Sequence, residues 1–63
     1  MKPGDLRRFH DDAFLAKERE LNSRIFLVLS VESNGVDILV DGAQMGWSQR
    51  VIEDCSEPVN ESR

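Results

Sequence analysis

The stretch that decides the fold runs from Ser30 to Ser48, "SVESNGVDILVDGAQMGWS". It holds two turn signals, Asn34-Gly35 and Asp41-Gly42, separated by the apolar-rich run Val36–Val40. Asn-Gly and Asp-Gly favour two-residue type I′ hairpins, because both positions accept the positive φ that matches strand twist. Two such turns predict the pairs Ser33–Val36, Val31–Ile38 and Leu29–Val40, then Val40–Ala43, Ile38–Met45 and Val36–Trp47. The rows Leu29–Val40–Ala43, Val31–Ile38–Met45 and Ser33–Val36–Trp47 would form one apolar face. The opposite face would be mostly polar, with Ser30, Leu39 and Gln44 in one row and Glu32, Asp37 and Gly46 in the next. A slip of one residue would destroy that agreement. The expectation is a three-stranded meander with one buried side.

Working outward, Ile25–Glu32 is rich in β-branched and aromatic residues and supplies the first strand of the meander. Met1–Asp5 reads as a turn feeding a short strand, Leu6–Phe9, with Pro3 kept out of the ladder. Residues 10–24, "HDDAFLAKERELNSR", are polar and free of Gly and Pro. Only Ala13–Leu21 has helical composition, with Asp12 as an N-cap candidate. The expectation there is a long loop holding a turn or two of helix. Trp47–Arg50 reads as a tight turn or one turn of 3₁₀ helix, Arg50–Asp54 as a fifth strand, and residues 56–63 as a polar disordered tail. The domain is therefore expected over 1–55.

Size and composition narrow the function classes. Sixty-three residues support one small core, and a partner or second copy would add stability. A single cysteine, Cys55, excludes an internal disulfide. Residues 1–24 lack a long apolar run, and no stretch is long enough to span a bilayer. A cytoplasmic setting without membrane contact is expected. Net charge is −4. Residues 1–24 are nearly balanced, with six Lys/Arg against five Asp/Glu, whereas residues 25–63 carry two against seven. That excess of acid argues against nucleic acid and for a protein partner, since gripping a polyanion needs a basic surface.

The order of strand, long loop, meander, short turn and last strand resembles an SH3-like barrel of five strands. Gly4-Asp5-Leu6 resembles the Gly-Asp-hydrophobic opening of KOW-type small barrels. "DGAQMGWSQRVIED" resembles their Asp-Gly hairpin, Trp, turn and closing Ile-Glu, and the whole pattern is similar to short bacteriophage-encoded proteins. Where such barrels often carry Val, this chain has Arg7. Either the inward position of the first strand moves to Leu6, or Arg7 lies at an edge. There is no Tyr, so the paired-tyrosine surface that binds PxxP peptides is not expected.

The resemblance implies a ligand face around Trp47, and the residues chosen for partner contact are Trp47, Arg50, Arg24 and Phe14. Trp47 could equally cap the core row formed with Val36. Arg7, Arg8, Arg24 and Arg50 would form a basic patch if they converged, or be neutralised by Asp5, Glu18, Glu20 and Glu53. His10-Asp11-Asp12 has neither the spacing nor the number of ligands that zinc requires. No nucleophile elbow, triad or phosphate-binding glycine loop is present, so no catalysis, cofactor or metal is expected. The function expected is a non-catalytic protein-binding module, with homo-oligomerisation as a variant. The alternative, implied by the KOW-type resemblance, is a nucleic-acid accessory barrel.

Overall fold

The second of the two turns forms as its residues require. Asp41 and Gly42 have φ of 52° and 82°, and they join β3 (Gly35–Val40) to β4 (Ala43–Trp47). The pairs Val40–Ala43, Ile38–Met45 and Val36–Trp47 all occur. This is a computed structural model, and it describes residues 1–59. The remaining elements are β1 (Leu6–Phe9), β2 (Ile25–Glu32), a short helix α1 (Gln49–Cys55) and β5 (Ser56–Pro58). The five strands make one open antiparallel sheet in the order β4-β3-β2-β1-β5.

The first turn differs from expectation. Its two loop residues are Ser33 and Asn34, and Gly35 joins β3 opposite Glu32. Val31 therefore faces Val36, and the register shifts again between Val28 and Ser30, so that Val28 faces Ile38. Leu29 is the extra residue of a β-bulge. The reason lies in β2 itself. Its odd positions, Ile25, Leu27, Leu29 and Val31, are all apolar, and so are Phe26 and Val28 among the even ones. Without a bulge only one set can face inward. The bulge lets Phe26 and Val28 enter the core and still turns Val31 toward it. Burying Phe26 and Val28 is worth roughly 1.5–3 kcal/mol apiece, which outweighs the preference of Asn-Gly for the turn. Leu29, expected inside, is left 36% exposed.

The core comprises Phe9, Leu21, Phe26, Val28, Val36, Ile38, Val40 and Ile52. The outer face is less polar than expected at one end. There Leu6, Leu27, Leu39 and Gln44 form a continuous row across four strands. Ser30, Asp37 and Gly46 form a polar row further along, where Ser30 Oγ donates to the Asp37 carboxylate.

The expected fifth strand at Arg50–Asp54 is instead part of α1. Ser48 is its N-cap and its hydroxyl accepts from the Val51 N–H at 3.2 Å, satisfying one of the donors a helix start leaves open. Val51, Ile52 and Cys55 then fall on one side at helical spacing, with Ile52 fully buried. The expected tail also needs correction. Ser56–Pro58 pairs with β1 through Arg7–Pro58, Arg8–Glu57 and Phe9–Ser56. The boundary placed after residue 55 thus falls between α1 and β5 and separates β5 from its sheet, and residues 60–63 of that tail lie outside the described residues.

Arg7 follows neither route foreseen for it. It shares the inward face of β1 with Phe9, half-buried, while Leu6 is 40% exposed. Its guanidinium donates to Ser56 Oγ at 2.8 Å and to the Ser56 carbonyl at 3.0 Å. Ser56 Oγ in turn donates to the carbonyl of Ile52, one of the acceptors left open at the helix end. One arginine thereby ties β1, the end of α1 and β5 together.

Between β1 and β2, residues 10–24 contain a single 3₁₀ turn, Arg19–Leu21, which sends Leu21 into the core. No α-helix forms over Ala13–Leu21. Glu18 has φ 58°, a left-handed conformation that no helix can pass through. Among the described residues no helix is long and apolar enough to cross a membrane.

Candidate functional site

Four aromatic rings run in series from the core to the surface. Phe26 and Phe9 lie with centroids 4.5 Å apart, Phe9 meets Phe14 edge-on at 5.2 Å, and Phe14 meets Trp47 at 5.5 Å. Each separation falls in the range where ring pairs attract beyond simple burial. Phe14 and Trp47 are both half-buried and packed on the core. Trp47 thus acts as a core cap with one side toward solvent. Its indole Nε1 is buried and has no hydrogen-bond partner among the described residues.

Asn22 holds Phe14 in place. The Asn22 side chain accepts from the Phe14 N–H and donates to the Phe14 carbonyl, both at 2.9 Å. An amide side chain here satisfies a backbone unit as a neighbouring strand would. The next residue, Leu15, is consequently turned outward and is 81% exposed, the largest value among the exposed large apolar side chains. Ser23 Oγ donates to Asp11 at the base of the same segment.

The four residues expected to contact a partner are only partly brought together. Phe14 and Trp47 touch. Arg24 is exposed and forms an ion pair with Asp41 in the β3–β4 turn. That turn lies at the opposite end of β4 from Trp47, ~13 Å away at strand spacing. Arg50 stands exposed on α1 without an ion pair among the described residues. The four arginines do not pool into one cationic cluster. Arg7 is bound to Ser56, Arg8 to Glu57 at 2.8 Å and Arg24 to Asp41. The acids that engage Arg8 and Arg24 are thus not the Asp5, Glu18, Glu20 or Glu53 considered from the sequence.

The Arg8–Glu57 pair crosses from β1 to β5 on the outer face. Its hydrogen bond and charge hold the Glu57 carboxyl below its ordinary range and raise Arg8 above its own. His10 Nδ1 lies 4.0 Å from the same carboxylate. His10, Asp11 and Asp12 therefore do not converge, and no three His, Cys, Asp or Glu side chains gather as metal ligands among the described residues. Concavities of about 270 and 450 Å³ open at the β5 edge, the larger one lined by Arg8, Ile25, Glu57, Pro58 and Val59.

Leu15 and Asn22 are the features that sequence reasoning passed over. The usable signal was the adjacent pair Phe14-Leu15 in a polar segment, since only one of two neighbours can face a core beneath an extended chain. Scanned against protein-family models, curated proteins and solved structures, the chain matches none.

Proposed function

We propose that this chain is a small non-catalytic protein-binding module that docks a partner through the 10–24 segment and the adjoining Trp47 turn. The observation that carries this reading is Leu15. A leucine left 81% exposed beside a clamped, core-packed Phe14 is an anchor presented on a rigid base. Loops fixed by a scaffold are where recognition concentrates, and preorganised apolar anchors reduce the entropy lost on docking. The Phe14–Trp47 ring pair beneath it offers amphipathic area of the kind enriched at binding hot spots. The complementary partner surface is an apolar pocket with a polar rim.

The SH3-like barrel, bacteriophage origin and cytoplasmic setting belong to the same proposal. For the barrel and the origin the support is the strand order, with the short helix α1 ahead of the last strand, together with the Gly4-Asp5-Leu6 and Asp41-Gly42…Trp47 patterns. The protein-binding reading is preferred over the nucleic-acid alternative because Arg7, Arg8 and Arg24 are each engaged within the chain. The charges of Arg8 and Arg24 are thereby partly neutralised, and donors of Arg7 are occupied, before any phosphate arrives.

Tagged full-length chain, its Leu15→Asp variant and its Trp47→Ala variant should be compared as baits in lysate of the producing cell. A protein retained by the parent and lost with Leu15→Asp, under an unchanged circular dichroism spectrum, supports the reading. Retention indifferent to Leu15, or binding of short RNA or DNA at low salt, overturns it.

A further inference from the structure

The two edges of the sheet are built differently. β5 is short, ends in Pro58 and carries Glu57 tied to Arg8. Shortness, proline and charge are the devices that discourage further strand pairing. β4 has none of them. It reads Ala43-Gln44-Met45-Gly46-Trp47, without charge or proline, and pairs with β3 without a bulge. β3 is its only neighbour in the sheet, and no loop donates to its free side among the described residues.

The hairpin also fixes which groups lie on that side. In a two-residue hairpin the pair flanking the turn exchanges hydrogen bonds, and alternate pairs follow suit. Ala43, Met45 and Trp47 therefore direct their backbone groups at β3. Gln44 and Gly46 direct theirs outward, presenting donors and acceptors in alternation.

We infer that β4 pairs antiparallel with the β4 of a second copy of this chain, about a two-fold axis through Met45. Centring on the middle residue engages the whole strand in both copies. Gln44 then faces Gly46 of the second copy and the two exchange hydrogen bonds, roughly four in all by symmetry. Met45 faces its own counterpart in a non-hydrogen-bonded pair. Beyond the strand ends, the same alignment sets the Asp41-Gly42 turn of one copy against Ser48-Gln49-Arg50 of the other. Asp41 of one copy then falls across from Gln49 of the other, one residue from Arg50, which has no ion pair among the described residues. The Asp41 carboxylate, already held by Arg24 in its own chain, thus gains a second cation beside it. A foreign extended peptide could use the same backbone groups, but the Asp41–Arg50 match arises only from self-pairing. The uncharged strand also removes local repulsion that a net charge of −4 would otherwise impose.

A single short ladder buries far less than the ~800 Å² per partner of tight complexes, so dimer should grow in only between tens of micromolar and about 1 mM. Sedimentation velocity on the full chain should show that concentration dependence. Gln44→Pro, which removes an outward N–H at a position where an edge strand tolerates proline, should weaken dimerisation about tenfold or more. Arg50→Glu should weaken it several-fold, and added salt should narrow that difference. Met45→Cys in a Cys55→Ser background should form a disulfide-linked dimer under mild oxidation, because non-hydrogen-bonded pairs bring Cβ atoms within bridging distance. That result also decides the matter should Gln44→Pro fail to fold. A monomer at every concentration, a dimer untouched by Gln44→Pro, or absence of the Met45→Cys cross-link overturns the inference. Partner capture through Leu15 is read separately and does not depend on it.

Discussion

Replacing Asn22 by alanine tests the clamp on which the candidate surface rests. The side chain makes two hydrogen bonds to one peptide unit, both 2.9 Å and partly buried. At ~0.5–1.5 kcal/mol each, their loss should cost about 2 kcal/mol in total. With a urea m-value of ~1 kcal/mol/M for a chain of this size, the midpoint should fall by roughly 2 M. Asn22→Asp keeps the acceptor for the Phe14 N–H and loses the donor to its carbonyl, so about half of that fall is expected. Trp47 fluorescence is a fitting probe, since its ring lies 5.5 Å from that of Phe14. Loosening the clamp should also alter the native-state emission before any unfolding. A midpoint within ~0.3 M of the parent for Asn22→Ala, with unchanged emission, would refute the claim that this amide fixes the segment.

Ser48→Ala should lower stability by about 1 kcal/mol through loss of the cap on α1, seen as reduced amide-exchange protection in the α1 residues. Arg7→Leu removes the donors to Ser56 while keeping an apolar stem on the inward face. The β5 amides should then exchange faster, and unaltered protection at Glu57 and Val59 would count against the tie. The Glu57 carboxyl, held below its ordinary range by the Arg8 hydrogen bond, contributes stability that is present above its unfolded pKa. That contribution is lost as pH falls through the folded value. Carboxyl chemical shifts should show Glu57 titrating below the usual glutamate range in the parent and returning toward it in Arg8→Gln. An identical titration in both would remove the pair as the cause.

The second hairpin was legible because one dipeptide, Asp41-Gly42, and one alternating pattern, Val36, Ile38 and Val40, pointed to the same register. The first was not, because β2 is apolar at both parities over Ile25–Leu29 and its own pattern cannot choose a face. The choice is made by Phe9, which approaches from a strand distant in sequence and packs on Phe26. Val51-Ile52 reads as strand by β-branching, yet the Ser48 cap and the burial of Ile52 make a helix there. Ser56–Pro58 looks like tail by composition, and becomes strand because Phe9 and Arg7 supply partners for it. At the candidate site, Trp47 and Phe14 could be picked out as large aromatics. Their meeting, and the outward turn of Leu15, depend on a hydrogen-bonding amide eight positions away in the chain, which no local pattern signals.

The two-sided greasiness of β2 has a consequence for how the chain reaches its native state. Ile25–Val31 contains no charge, proline or glycine, the composition of segments that stack on their own kind when left unpaired. β1 emerges from the ribosome before it, β3 and β4 after. A nascent chain that already holds Phe9 against Phe26 has its central ribbon oriented before the meander closes. One that lacks β1 has Ile25, Leu27 and Leu29 free to claim the interior, in a ladder without the Leu29 bulge. The first strand, short as it is, therefore serves as the gauge that sets the inside of the sheet, and its absence should be felt as clumping rather than as a looser version of the same fold.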